Sequence, residues 1–315
     1  MSSNKLNIAL LCILVSSITN AQLAGTAGAA TRLGFGARGM GMGNAMIAVL
    51  HGENSGYYNP ASVKHLDGQY ATLSYGALSL DRNLNALFYG QPIDTNAGVA
   101  VRILNTGVSD IDGRDIDGFH TETYSTSENQ FSLSFALKIR KITLGLSTKI
   151  YYYSLFEDLS STGLGFDVGV LYSLTSNIVI GAVVKDLNAK YRWDTSPLYD
   201  TEGNTTTEKF PIRKAIGISY TLENQSGVLS VEYENSNRAT NILRVGAEYT
   251  VNEYVTLRSG LDGWDLEDTK QAHPSFGFTV RTEVNDWNPS FTYAYVVEPY
   301  NVFAMHILAL SIKLQ

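Results

Sequence analysis

From residue 69 onward, apolar and polar residues alternate with almost no interruption. In FSLSFALKIR, Phe131, Leu133, Phe135, Leu137 and Ile139 fall on one face, and Ser132, Ser134, Ala136, Lys138 and Arg140 on the other. A period of two is the mark of a strand with one apolar and one wet face. It recurs in 14 segments: 69–80, 83–91, 96–105, 128–140, 142–153, 163–174, 177–187, 211–222, 226–235, 241–251, 253–262, 273–284, 288–298 and 303–314. Most are far longer than the roughly 5–6 residues typical of soluble strands. They match the ~9–11 residues of a tilted strand that crosses a bilayer.

The connections point the same way. Lys141, TSN, ENQS and Asn252 mark short turns, and the stretches 106–127, 154–162, 188–210, 236–240 and 263–272 are longer. Alternation of short and long connections is the habit of outer-membrane barrels, whose periplasmic turns are short. One face carries Arg102, Lys138, Lys149, Asp167, Lys185, Arg213, Glu232, Arg244, Glu248, Arg258, Arg281 and Glu283, while the other is mostly Leu, Ile, Val, Phe and Tyr. A ring of 14 strands is too wide for side chains alone to fill, so the charged face is predicted to point inward. Lys214 breaks the outward pattern and is expected where a long side chain reaches water. The predicted fold is all-β, a 14-stranded antiparallel transmembrane β-barrel. Leu133→Arg should then be costly and Ser134→Arg mild.

The first residues read differently. Lys5, the apolar run Ile8 to Val15 and the small residues Thr19-Asn20-Ala21 form a secretory signal peptide, residues 1–21. The apolar run is too short for a membrane helix. The only cysteine, Cys12, falls within it, so no disulfide is predicted afterwards. The net charge of −7 argues against a nucleic-acid partner. With 19 Tyr, 12 Phe and 28 Gly, the composition suits either a soluble β-protein or a transmembrane β-barrel, and strand length and the apolar face decide between them.

Between leader and strands lies GFGARGMGMGNAMIAV, then GYYNPASV. Gly34-Phe-Gly36-Ala-Arg-Gly39 spells a dinucleotide fingerprint, but no strand precedes it and no βαβ unit follows, so no nucleotide cofactor is predicted. The two stretches resemble the PorV/PorQ group of the FadL-like superfamily of outer-membrane barrels, through Gly36, Arg38, Met42, Gly43, Ala45, Ala48 and Val49, then Tyr58, Asn59, Pro60 and Ala61. Asn44 stands where that group usually has a second glycine. The resemblance implies that residues 22–66 form an N-terminal hatch inside the lumen of a barrel made of residues 67–315. Gly34, Gly36, Arg38, Gly39, Met42, Gly43, Asn59, Pro60 and Ala61 would be its structural or gating residues. Arg38, a charge inside the lumen, should pair with Asp167, Glu232 or Glu248.

Candidate chemistry is sparse. None of the five histidines stands beside a carboxylate and a nucleophile in a triad-like pattern, and the protein is not predicted to be an enzyme. SDIDGRDIDGFH, residues 109–120, lacks EF-hand spacing and reads as tight turns in an exposed loop, so no metal is predicted. Tyr191, Trp193 and Tyr199 in the loop 188–210 are a candidate partner surface or an aromatic belt. Phe35, Met40, Met42 and Met46 are candidate contacts for a hydrophobic ligand. Two functions follow for a barrel in the outer membrane of a Gram-negative-type bacterium. By resemblance, it is an accessory of type IX protein secretion that binds secreted cargo or secretion-system subunits. Alternatively, it is a FadL-like passive transporter of hydrophobic small molecules.

Overall fold

The computed structural model describes residues 25–50, 52, 56–156, 159–199, 202–238, 240–265, 272–283, 287–298 and 304–314. The leader 1–21 lies outside them. The strands are β1 (Gln69–Ala77), β2 (Arg82–Asp94), β3 (Ala97–Arg114), β4 (His120–Ile139), β5 (Ile142–Phe156), β6 (Leu159–Ser173), β7 (Ile178–Leu187), β8 (Lys190–Asp194), β9 (Thr205–Lys209), β10 (Arg213–Thr221), β11 (Gly227–Ser236), β12 (Asn241–Thr250), β13 (Val255–Asp265), β14 (His273–Arg281), β15 (Trp287–Val297) and β16 (Ala304–Leu314). All except β8 and β9 form one closed antiparallel barrel of 14 strands. β1 closes it against β16 in an unbroken register from Gln69↔Leu314 to Ala77↔His306.

The barrel is inside-out relative to a soluble domain. Leu133 is 53 % exposed on the outer face, and its neighbour Ser134 is fully buried on the inner one. Lipid tails supply the apolar environment that the outward Leu, Ile and Phe require, and closure leaves no strand edge unpaired in it. Lys214 points outward at the start of β10, beside the loop end, where its ammonium reaches water.

Two regions depart from the sequence expectation. The stretch 106–127 is largely strand, because β3 and β4 continue as a paired hairpin past Val108↔Thr126 to Arg114↔His120. Its alternation is invisible because both faces are wet. Within 188–210, β8 and β9 pair as a separate two-stranded sheet around the helical turn Ser196–Tyr199.

Residues 25–50 and 56–66 pack against the inward side chains. Their helices are short: Ala30–Arg32, Gly36–Gly41 and the 3-10 segment Pro60–His65. Asn59 caps the last, its side-chain oxygen accepting from the Ala61 N–H at 3.0 Å with Pro60 at the first helical position.

Candidate functional site

The backbone of residues 41–48 and 60–64 lies directly on the wall, and wall glycines make that approach feasible. A Cβ on Gly145 would fall 2.2 Å from the Ala61 nitrogen, and one on Gly260 would fall 2.2 Å from the Gly43 nitrogen. Gly181 and Gly246 likewise face the carbonyls of Ile47 and Met42, and Gly169 faces the Asn59 side chain, each too closely for a Cβ. These five lie on β5, β6, β7, β12 and β13, so the contact runs around much of the barrel. Small residues are thus matched on both partners. Gly43 itself has φ +59° and faces the Leu261 backbone, and Gly39 meets the Tyr58 ring where any side chain would collide.

Polar anchors complete the seat. Gly43 N–H donates to Ser275 Oγ at 3.0 Å, and Ser219 Oγ donates to the Ala48 carbonyl at 2.7 Å. Asn59 Nδ2 donates to the carbonyls of Ile47 (3.0 Å) and Val170 (3.2 Å). Asn44, where the resemblance leads one to expect glycine, has φ +57°, which asparagine tolerates better than most residues. Its amide is put to use: Nδ2 donates to Asp262 at 2.7 Å, and Oδ1 accepts from Tyr58 OH at 2.6 Å.

The inner wall from β5 to β13 holds a lattice of buried ion pairs. Arg38 makes a two-pronged contact with Glu248, both bonds 2.9 Å, and Glu248 also accepts from Arg258. Bidentate pairing of this kind fixes direction as well as charge. Arg244 reaches Glu232 at 3.0 Å and Asp262 at 2.6 Å. Lys149 bridges Asp167 (2.6 Å) and Asp186 (2.9 Å), and Asp186 also holds Arg213 at 2.8 Å. Lys185 Nζ sits 5.0 Å above the ring of Tyr57. The lattice includes Asp186, Glu234 and Asp262, which the alternation alone did not single out. Glu234 and Asp262 continue the inward phase of Glu232 and Arg258 by two and four residues. Asp186 does not: Lys185 and Asp186 are both buried because the register shifts between Phe166 and Val168, and this bulge turns Asp186 inward.

The opposite wall carries an apolar strip, interrupted by the buried Arg102 of β3 and bordered by the hydroxyls of Thr72 and Ser74 of β1. Leu84, Ala86 and Phe88 of β2, Ala100 and Leu104 of β3, Val296 of β15 and Met305, Ile307 and Ala309 of β16 form one buried cluster with Phe35, Met40, Met42 and Met46. Phe35 stacks on Tyr57 at 5.2 Å. Burial pushes the Tyr57 phenol up to about 12, and that of Tyr58 well above its ordinary value.

Of the loop aromatics, Tyr191 is not exposed. It is 1 % accessible, packs against Tyr151, Phe210 and Trp193, and donates to Glu128 at 2.7 Å. Trp193 is half-buried, and Tyr199 ends the helical turn. In the hairpin 109–120, Asp115 Oδ1 accepts from the N–H groups of Asp117 and Phe119, and Asp112 pairs with Arg114 and His120.

No family sequence model matches the chain, and no curated protein matches it. Solved structures do. The Pseudomonas putida toluene transporter TodX superposes with a TM-score of 0.64 at 13% identity, covering 89% of this chain and 97% of its own. The CymD monoaromatic hydrocarbon channel gives 0.63 at 15%, covering 90% and 98%. A Pseudomonas aeruginosa FadL homologue gives 0.62 at 11%, covering 89% and 98%. At these identities the likeness shows the fold alone, a closed 14-stranded barrel shared with these three proteins.

Proposed function

We propose that the chain is an outer-membrane barrel that passes small hydrophobic molecules along the apolar side of its lumen, with residues 22–66 as the hatch. The carrying observation is the strip from Leu84 and Phe88 to Met305 and Ile307, which faces Phe35, Met40 and Met42. Ligand paths for greasy molecules are lined by such groups, and flexible methionines repack around varied shapes. The transport proteins with the same fold support the same reading. The test is initial uptake of a radiolabelled monoaromatic hydrocarbon by cells whose outer membrane is otherwise a barrier. Expression should raise the rate, and Ala100→Trp, which fills the strip, should remove the gain. No gain on expression overturns the proposal.

A second reading, the PorV/PorQ-like accessory of type IX secretion, draws on the resemblance across residues 25–63. The seating of the hatch backbone on wall glycines favours it, because a lumen sealed that closely leaves the loops to do the work. Capture of a secreted protein or secretion subunit by the natively extracted barrel, without hydrocarbon uptake, would select it.

A further inference from the structure

The outer face of β2–β5 carries a feature that neither the lumen nor the ion-pair lattice uses. A groove of about 560 Å³ lies there, lined by Leu87, Val101, Ile103, Phe131, Leu133 and Ile150. These side chains are 37–53 % exposed. They stand in cross-strand rows, since Leu87 pairs with Ile103, Ile103 with Phe131 and Phe131 with Ile150. The volume is within the ~300–1,000 Å³ of small-molecule sites.

The next row toward the long-loop end is polar. Tyr75 pairs with Asn85, Asn85 with Asn105, Asn105 with Asn129 and Asn129 with Tyr152, so three amides flanked by two tyrosines cross five strands. The amides are linked: Asn85 Nδ2 donates to Asn105 Oδ1 at 3.1 Å, and Asn105 Nδ2 donates to Asn129 Oδ1 at 2.9 Å. Rows two residues apart along a strand are separated by roughly 7 Å. Apolar groove and hydrogen-bonding row are thus adjacent, in the order that an amphiphile presents its tail and head. The row itself contains no charged side chain.

We propose that this face holds one lipid of the leaflet on the long-loop side, with an acyl chain in the groove and an uncharged, hydroxyl- or amide-bearing head on the asparagine row. The groove is continuous with the lipid-facing band of the barrel, and uncharged amides both donate and accept, which suits a ceramide-like head better than a bare phosphate. This rests on the membrane-barrel reading but not on what passes through the lumen.

The test places the purified full chain in phosphatidylcholine nanodiscs doped with a ceramide whose acyl chain carries a diazirine. Photolabelled residues are then mapped by mass spectrometry. Labelling of Ile103, Phe131 and Leu133 should exceed that of Ile218 and Val231, on the opposite outer wall, by about fivefold, the worth of one net hydrogen bond. Asn105→Leu should abolish the excess, and Ile103→Trp, which fills the groove, should do the same with the amides intact. Equal labelling of both walls, or cross-linking of the groove to a second copy of the chain, overturns the lipid seat. An absence of label on every outward residue would instead overturn the membrane reading itself.

Discussion

The inner wall from β15 and β16 through β1 to β3 and the inner wall from β5 to β13 face the same N-terminal segment with opposite chemistry. On the first, Phe88, Leu104 and Ile307 meet Phe35 and the methionines in one apolar cluster, with Arg102 the buried charge at its margin. On the second, Arg38 enters a lattice in which every guanidinium and carboxylate depends on a neighbour. Apolar contacts are non-directional and tolerate rearrangement, whereas a buried charge that loses its partner retains its full desolvation cost. On the proposed function, the first half is the one that would yield to a foreign molecule, while the ion pairs of the second fix the segment in one position.

The largest effect is expected on the charged half. Glu248→Ala leaves Arg38 and Arg258 facing each other without their shared carboxylate, which should cost about 3–5 kcal/mol in urea unfolding from detergent micelles. On the apolar half, Leu104→Ala should cost about 2–5 kcal/mol and leave a dry cavity. The two losses differ in kind. Benzene should bind the Leu104→Ala cavity and restore part of its stability, as apolar cavities allow, and should do nothing for Glu248→Ala. Equal rescue of both would dissolve the distinction between the halves.

How the segment is seated can be tested separately. Gly260→Ala places a methyl against the backbone of Gly43, where no flexible side chain can yield. A cost of about 1–3 kcal/mol is expected, with residues 25–66 becoming protease-sensitive while the barrel still migrates as folded. If the segment stays protected, the close approach is not what holds it.

Much of the barrel was legible because lipid and lumen impose opposite polarity on successive residues, as in Phe131 to Ile139. Where that contrast ends, so did the reading. Val108 to Arg114 and His120 to Thr126 pair as strands, yet water on both faces erases the alternation. Tyr191 read as a surface aromatic because its position in a loop says nothing of the Tyr151 and Phe210 rings beneath it. That Arg38 would need an inward acid followed from charge burial once the resemblance put it in the lumen, but the choice of Glu248 over Asp167 and Glu232 did not. The expectation that Ser134→Arg would be mild does not survive, since it rested only on Ser134 facing away from lipid and took no account of what packs against it. Ser134 is fully buried, hydrogen-bonded to Ser147 and close to Gly56 of the N-terminal segment. The outward Leu133→Arg should still cost about 2–4 kcal/mol near the midplane, but its neighbour is no longer a tolerant control.

Tyr57 stands at the seam between the two halves. Its ring stacks on Phe35 on one side and lies beneath the Lys185 ammonium on the other, and its hydroxyl donates to the Thr31 carbonyl at 2.6 Å. Because burial raises its phenol to about 12 from an ordinary 10, the folded state holds this proton after the unfolded chain has released it. The contribution is complete below pH 10 and is lost as pH rises toward 12, at about 1.4 kcal/mol per pH unit for one phenol. Tyr57→Phe should cost about 1 kcal/mol at neutral pH through the lost hydrogen bond. It should also make the alkaline decline shallower by one proton, with Tyr58 still contributing. Unfolding midpoints at pH 8, 10 and 11.5 for the two proteins would measure both effects. If the alkaline limb is unchanged by Tyr57→Phe, the phenol is reached by water, and the seam between the halves is open to solvent.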